Sequence, residues 1–318
     1  MTQRQKASAF APASVGNAAV GFDLLGFAVE GAGDTVHACR RAESDVVIDD
    51  IRGTVTDLPR AADRNTAGRA VLSLLAAQRA DFGVRLEINK GIPLGSGLGG
   101  SAASATAALV AVNALLDRPL AQAELYPYAL AGETVASGSA HGDNVGPQLL
   151  GGLVLASPDQ LFRIPLPDGL VAVVVHPDHV VETRAAREVL QIGFGLEEIV
   201  AQQTRLGLFL AGCYRNDLAL IRAGLADGLI EPRRAGLIPG FHAVKQAALD
   251  HGALGASISG AGPSVFGWFT DRQAAAAAGE DMISAFGQHG LAASALVCGL
   301  DAPGARLLLD DEDTPCAT

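Results

Sequence analysis

The sequence predicts an α+β protein. Stretches of strand and helix character are mixed along the chain without the strict β-α-β-α alternation that a doubly wound sheet requires. The clearest strand, LVAVVVHP at 170–177, is dense in β-branched residues. The clearest helix, SAASATAALVAVNALL at 101–116, has almost no polar face and must be buried. With 318 residues, 49% hydrophobic and 18% charged, the chain suits a well-packed globular enzyme of one large domain or two modest ones. A soft boundary falls near residue 160. It divides the chain into 1–160, which holds a glycine-rich loop, and 161–318, which holds Arg187, Arg234 and a second glycine turn.

The remaining elements follow from periodicity and punctuation. VRLEINKGIP (84–93) alternates apolar and polar residues as a half-buried strand does, and stops at Pro93. After the helix at 101–116, DRPL (117–120) supplies a proline stop. AQAELYPYALAGETVAS (121–137) reads as a second helix and LLGGLVLASP (149–158) as a strand. Beyond 170–177, ETRAAREVL (182–190) is helical, and 197–226 is mostly helical with a break near Gly212. GALGASISGAGPSVFGWF (252–269) is strand, glycine turn, strand. QAAAAAGEDMISAFGQHG (273–290) is a helix and LAASALVCGL (291–300) a closing strand. The acidic end, DDEDTPCAT (310–318), is expected to be a frayed, solvated tail.

Composition narrows the function. A formal net charge of −11 argues against nucleic-acid binding, which needs a basic face. It leaves room for a nucleotide, because a local nest of backbone N–H groups binds phosphate on an acidic protein. Cys39, Cys213, Cys298 and Cys316 are far apart and form no C-x-x-C, so neither a disulfide framework nor a structural zinc site is expected. MTQRQKASAF lacks the apolar region of a signal peptide, and no run of 18 or more apolar residues appears. No membrane partner and a cytoplasmic setting are therefore expected.

The stretch PLGSGLGGSAAS (93–104) concentrates backbone freedom directly before a helix. A flexible turn, a dinucleotide site and a triphosphate site are the readings open to it. The G-x-G-x-x-G spacing of Gly95, Gly97 and Gly100 suggests a dinucleotide, which requires a buried strand running straight into the first glycine. Pro93 interrupts that approach, Glu87 and Lys90 charge it, and Asp117 ends a helix instead of a second strand. A Walker A loop fails too, since no Gly-Lys-Ser/Thr closes it. What remains is a glycine loop opening a helix whose first turn carries Ser101 and Ser104. Free N–H groups with the helix dipole behind them make an anion site, and glycines let the backbone wrap phosphate oxygens. A serine there caps the helix or reaches a magnesium ion.

The order Pro-x-Gly-x-Gly-Leu-Gly-x-Ser-Ala-Ala resembles the phosphate loop of the GHMP small-molecule kinases. APASVGNAAVGFDLLGFAVEGAGD (11–34) is similar to the N-terminal signature of the homoserine kinases in that family, through Asn17, Gly21, Phe22, Asp23, Leu25 and Gly26. SGSAHGDNVGPQLLGG (137–152) resembles their His-x-Asp-Asn-Val-x-Pro segment. ETRAAREVL and EPRRAGLIPGF (231–241) match their second-half patterns, and GASISGAGPSVFGW (255–268) resembles the family's third motif. The resemblance spans about residues 8 to 306, with all motifs in order. Two residues depart from it: Gly100 stands where the loop often has serine, and Ala19 where many relatives have glycine.

The resemblance implies a GHMP kinase fold, with an N-terminal ribosomal-S5-domain-2-like domain and a C-terminal ferredoxin-like domain. It implies transfer of the γ-phosphoryl of ATP to the side-chain hydroxyl of L-homoserine, giving O-phospho-L-homoserine for threonine biosynthesis. ATP and Mg²⁺ are the implied cofactors, L-homoserine the partner, and a homodimer the assembly. Another hydroxylated substrate, or a non-catalytic relative that only binds a ligand, are the alternatives.

The same resemblance assigns residues. Pro93, Leu94, Gly95, Ser96, Gly97, Leu98, Gly99, Gly100, Ser101, Ala102 and Ala103 would wrap the phosphates, with Gly260 and Gly262 shaping the nucleotide pocket. Ser101 and Glu133 would hold Mg²⁺. A helical glutamate is ordinarily a solvated charge, but LAGETVASGSAH around Glu133 is nearly uncharged. Asn65 in DRNTAG matches an adenine contact, and a helix N-cap accounts for it equally well. Arg187 and Arg234 are candidates for the substrate carboxylate, the Glu-Pro-x-Arg spacing selecting Arg234 over Arg233. Asn17 and Asp23 would meet the ammonium or hydroxyl end, and His141, Asp143, Asn144 and Thr183 would line the same pocket. No spacing supplies a general base. Transfer without one predicts a flat rate–pH profile from about pH 6.5 to 8.5.

Overall fold

The structure is a computed structural model and describes residues 4–137, 141–191 and 193–309, so the expected acidic tail lies outside the described residues. The first half forms β1 (Lys6–Gly16), β2 (Leu25–Arg41), β3 (Val46–Gly53), α1 (Thr66–Gln78), β4 (Gly83–Lys90) and α2 (Gly100–Asn113). It continues with α3 (Tyr126–Ser137), α4 (Gly142–Leu150), β5 (Leu153–Ala156) and β6 (Leu161–Ile164). The second half forms β7 (Val171–Pro177), α5 (Thr183–Glu188), α6 (Leu196–Arg215), α7 (Leu218–Gly224), α8 (Glu231–Arg234) and α9 (Phe241–Asp250). It closes with β8 (Gly255–Ile258), β9 (Val265–Phe269), α10 (Arg272–Gln288), β10 (Ala293–Gly299) and β11 (Arg306–Leu307).

Two sheets organise these elements. The first runs β11-β1-β2-β4-β3, with the β5–β6 hairpin added along β2, and the second runs β10-β7-β9-β8. Residue 160 lies in the turn of the β5–β6 hairpin; the chain enters the second sheet at β7, and β11 returns to the first. Phe27 of β2 meets Phe266 and Trp268 of β9 edge-on, with centroids 5.4 and 5.6 Å apart, so aromatic packing joins the two sheets.

α2 is the buried helix that its composition demands: every residue from Ala102 to Val112 is buried. Its small side chains let neighbouring helices approach closely. A Cβ at Gly132 of α3 would lie 2.6 Å from Thr66 O and 3.2 Å from Ala105 Cβ, and this approach brings Glu133 over the start of α2. A break is expected near Gly212, but α6 runs through it to Arg215. The chain turns at Asn216, which is left-handed (φ 57°), and the Asp217 carboxylate caps α7 by accepting Ala219 N at 2.9 Å. Gly212 serves packing instead, since a Cβ there would meet Ile221 N at 2.6 Å. Cys213 and Cys298 are free and buried, whereas Cys39 is disulfide-bonded, which the wide sequence spacing gives no sign of. Among the described residues no helix is long and apolar enough to cross a membrane.

Candidate functional site

Between β4 and α2 the chain turns on three left-handed glycines, Gly95 (φ 65°), Gly97 (φ 75°) and Gly99 (φ 68°). Side chains are excluded as well as disfavoured. A Cβ at Gly97 would lie 2.7 Å from Gly262 O, and one at Gly99 2.8 Å from Gln148 Nε2. The loop's carbonyl oxygens are taken up by the protein. Ser264 Oγ donates to Ser96 O at 2.7 Å, Ser259 Oγ to Gly97 O at 2.7 Å, and Gln148 Nε2 to Gly99 O at 2.9 Å. Gly99 is the N-cap of α2 and no side chain caps the helix, so its first-turn N–H groups stand ready for an anion. Ser101 is therefore no cap; its hydroxyl donates to Glu133 Oε2 at 3.3 Å.

The loop forms one wall of a cleft of about 690 Å³. Every residue expected at the site lines it except Ala102 and Ala103, which are wholly buried on the inner side of α2. Asn65 lines it while capping α1: its Oδ1 accepts Ala67 N at 3.0 Å and Gly68 N at 3.4 Å, and its Nδ2 donates to Pro59 O at 2.9 Å. The capping role is thus built in, and one amide hydrogen remains. Beside it Val55, Leu58, Pro59 and Ile88 make an apolar slot that no motif or spacing singles out.

The far end of the cleft is ionic. Arg187 donates from Nη1 and Nη2 to the two oxygens of Asp23 at 2.8 and 2.7 Å, and His141 Nδ1 lies 3.3 Å from Asp23 Oδ2. Asp23 is held in place by Asn17, whose Oδ1 accepts Asp23 N at 3.0 Å while Nδ2 donates to Gly260 O at 2.9 Å. Asn17 N donates to Asp143 Oδ2 at 3.1 Å, and Ser14 Oγ donates to Asn144 Oδ1 at 2.9 Å. Asn17, Ala18, Ala19 and Asp23 all have positive φ, strain of a kind that collects at functional sites. Ala19 has φ 63°, a conformation that glycine adopts without the Cβ penalty. Arg234 is 3% exposed and donates to Ala186 O at 3.1 Å and Gly260 O at 2.8 Å, so two of its donors are structural. Thr183 opens α5 at the cleft's edge.

Burial sets the protonation of these groups. It pushes the Asp143 carboxyl up to about 6, with the charge of Asp23 adding to the effect. It pushes Glu133 up to about 7, opposed by the hydrogen bond from Ser101. Burial lowers His141, and it lowers Arg234 to about 10 with help from the like charge of Arg187. Among the described residues no group of three or more His, Cys, Asp or Glu could hold a metal by protein ligands alone. The Ser101 hydroxyl and Glu133 carboxylate are nonetheless hard oxygen donors beside the loop, the set Mg²⁺ takes when phosphates and waters complete its shell. Ser104, expected only as a first-turn serine, also lines the cleft, as does Lys90, which reads in the sequence only as a charge on the strand before the glycine loop.

Comparison with known proteins bears on the whole chain. The domain models described as GHMP kinases N terminal domain and GHMP kinases C terminal match residues 65–152 and 209–289. A homoserine kinase of Xanthomonas campestris pv. campestris (strain B100) is 58% identical over 96% of this chain and 94% of its own length. The crystal structure of a homoserine kinase from Cytophaga hutchinsonii superposes with a TM-score of 0.93 at 40% identity, covering 97% of this chain and 99% of that one. A mevalonate kinase from L. major in complex with R-mevalonate, at TM-score 0.66 and 15% identity over 90% and 94% of the two chains, shares the fold.

Proposed function

The chain belongs to the GHMP kinase family, and on that premise we propose that it transfers the γ-phosphoryl of ATP to the side-chain hydroxyl of L-homoserine. The product is O-phospho-L-homoserine, for threonine biosynthesis. The observation that carries the substrate is the bidentate Asp23–Arg187 pair in the cleft that holds the glycine loop. Its two charges match the ammonium and carboxylate of an α-amino acid. The homoserine kinase of Xanthomonas campestris, 58% identical to this chain, points to the same substrate.

The residues divide the work by position. The loop of residues 93–101 and the uncapped start of α2 bind the phosphate oxygens through backbone N–H groups. Ser101 and Glu133 would hold Mg²⁺, which when bound neutralises charge on the phosphates. Arg187 takes the substrate carboxylate in paired hydrogen bonds and Asp23 takes the ammonium, while Asn17 fixes Asp23 from behind. Arg234 stabilises the carboxylate end mainly as a buried cation, since Ala186 O and Gly260 O occupy its Nε and Nη1. The loose transition state of phosphoryl transfer asks chiefly for positioning and charge neutralisation, and no general base is assigned. A homodimer and a cytoplasmic setting are part of the same proposal, the first to be read from sedimentation.

The test is ADP release with Mg-ATP and a panel of L-homoserine, L-threonine, L-serine, mevalonate and galactose. Strong turnover of homoserine alone supports the reading. Faster turnover of mevalonate or galactose would leave the phosphate loop standing and overturn the substrate end.

A further inference from the structure

Beneath the phosphate loop lies a polar cluster that the mechanism above does not use. Asp34 is fully buried, and Lys90 and Ser104 are 5% and 4% exposed. Lys90 and Ser104 still reach the cleft wall, which invites the view that the ammonium binds a phosphate directly. Counting donors argues against it. A lysine ammonium has three N–H groups and no acceptor. Here Nζ donates to Asp34 Oδ2, to Gly100 O at 2.6 Å and to Ser104 Oγ at 2.8 Å, so all three are committed. Ser104 Oγ donates to Asp34 Oδ2 at 2.6 Å, and Asp34 Oδ1 accepts Gly91 N at 3.0 Å.

The partners mark the two ends of the loop. Gly91 is where the chain leaves β4, and Gly100 and Ser104 lie in the first turns of α2. Asp34, on β2, is the common anchor. Breaking one side of such a buried pair leaves a charge uncompensated, so the cluster is not readily opened to free an N–H for a ligand.

We propose that Lys90 is a positioning residue: with Asp34 and Ser104 it clamps both ends of the phosphate loop and contacts no phosphate itself. The inference rests on the nucleotide site proposed above. It separates from a direct-ligand role at Ser104, because Ser104→Ala removes one of the ammonium's acceptors. A clamp is weakened by that change, and every nucleotide held by the loop binds less well. A direct phosphate ligand gains a free N–H, and binding stays level or tightens.

The experiment is calorimetric titration of the wild-type chain, Ser104→Ala and Lys90→Met with Mg-ADP and with a Mg-bound non-hydrolysable ATP analogue, alongside steady-state kinetics. Ser104→Ala is expected to raise both dissociation constants by the same factor, about two- to tenfold, the equivalent of one of the two hydrogen bonds its hydroxyl makes. The Michaelis constant for ATP should rise with them, with that for homoserine unchanged. Unchanged or tighter nucleotide binding in Ser104→Ala would overturn the clamp. So would a loss in Lys90→Met confined to the ATP analogue, which would put the ammonium on the γ-phosphate. Should Lys90→Met fail to fold, the serine variant decides alone. A wild-type chain that binds neither nucleotide would overturn the nucleotide site itself, and the clamp with it.

Discussion

Replacing Asp23 distinguishes an amino-acid kinase from a kinase that only shares the fold. Both Asp23 oxygens accept from Arg187, at 2.8 and 2.7 Å, with His141 Nδ1 at 3.3 Å from one of them. On the proposed assignment an α-amino acid exchanges this single ion pair for two, its carboxylate meeting Arg187 and its ammonium meeting Asp23. In Asp23→Asn the ammonium loses its counter-charge. A charge-assisted hydrogen bond contributes about 1.5–3 kcal/mol, which at 1.36 kcal/mol per decade is about a 10- to 150-fold loss of kcat/KM on homoserine. Side-chain exposures of 21% for Asp23 and 36% for Arg187 place the expected loss toward the lower end. 4-Hydroxybutyrate has the same carboxylate and hydroxyl but no ammonium. In the wild-type chain it must draw Arg187 away from Asp23 and offers nothing in return; in the variant that competition is gone. Its kcat/KM should hold level or rise. Coupled ADP release at saturating Mg-ATP measures both substrates, and their ratio should collapse toward one. An equal loss on the two substrates would refute the assignment of Asp23 to the ammonium.

Three further outcomes follow from the same geometry. The folded-state value of Glu133, raised from 4.5 to about 7, means that the folded chain holds a proton the unfolded chain releases, so its ionisation weakens the fold as pH rises between those values. Metal-free Glu133→Gln should therefore melt above the wild type at pH 8 and close to it near pH 4.5, while losing Mg-ATP turnover; a melting gap independent of pH would contradict this. The kcat of the wild-type chain should be flat from about pH 6.5 to 8.5, while kcat/KM for Mg-ATP falls below about 7 because Glu133 in the free enzyme must first lose its proton. An acidic limb in kcat that disappears in Asp143→Asn would instead reveal a general base. Arg234→Ala, which strips a donor from both Ala186 O and Gly260 O, should lower the melting temperature and raise the Michaelis constants for homoserine and ATP together. A loss confined to homoserine would make Arg234 a substrate ligand only.

The two ends of the cleft differ in how far a sequence reveals them, and the reason is physical. A phosphate site made of backbone needs glycines in series and a helix start, all within Pro93–Ser104, so composition and order expose it directly. Helix α2 is equally plain, because a helix apolar on every side has nowhere to sit but the core. β1 and β2 are not plain: in KASAFAPASVG the inward face is carried by alanines, a weak apolar signal, and from Ala11 onward β1, like the start of β2, is buried on both faces, so little contrast announces them. Asp23 and Arg187 lie 164 residues apart, and Asn17 meets Gly260 across 243. No local pattern carries such pairings, and only resemblance to a family named those residues.

The clamp proposed under the loop combines both cases. Lys90 precedes the glycines and reads as one more charge on a strand; its meaning depends on Asp34, 56 residues earlier. This division has a consequence for how such a cleft changes. The proposed nucleotide end is held by backbone geometry and by a buried cluster whose members cannot be exchanged singly without leaving a polar group unmet. The substrate end is held by a partly exposed ion pair reaching between the two halves of the chain, where one side chain can change while the loop stays intact. A new substrate is therefore most readily accommodated by altering Asp23, Arg187 and their immediate supports, and least readily by altering Gly95 to Ser104.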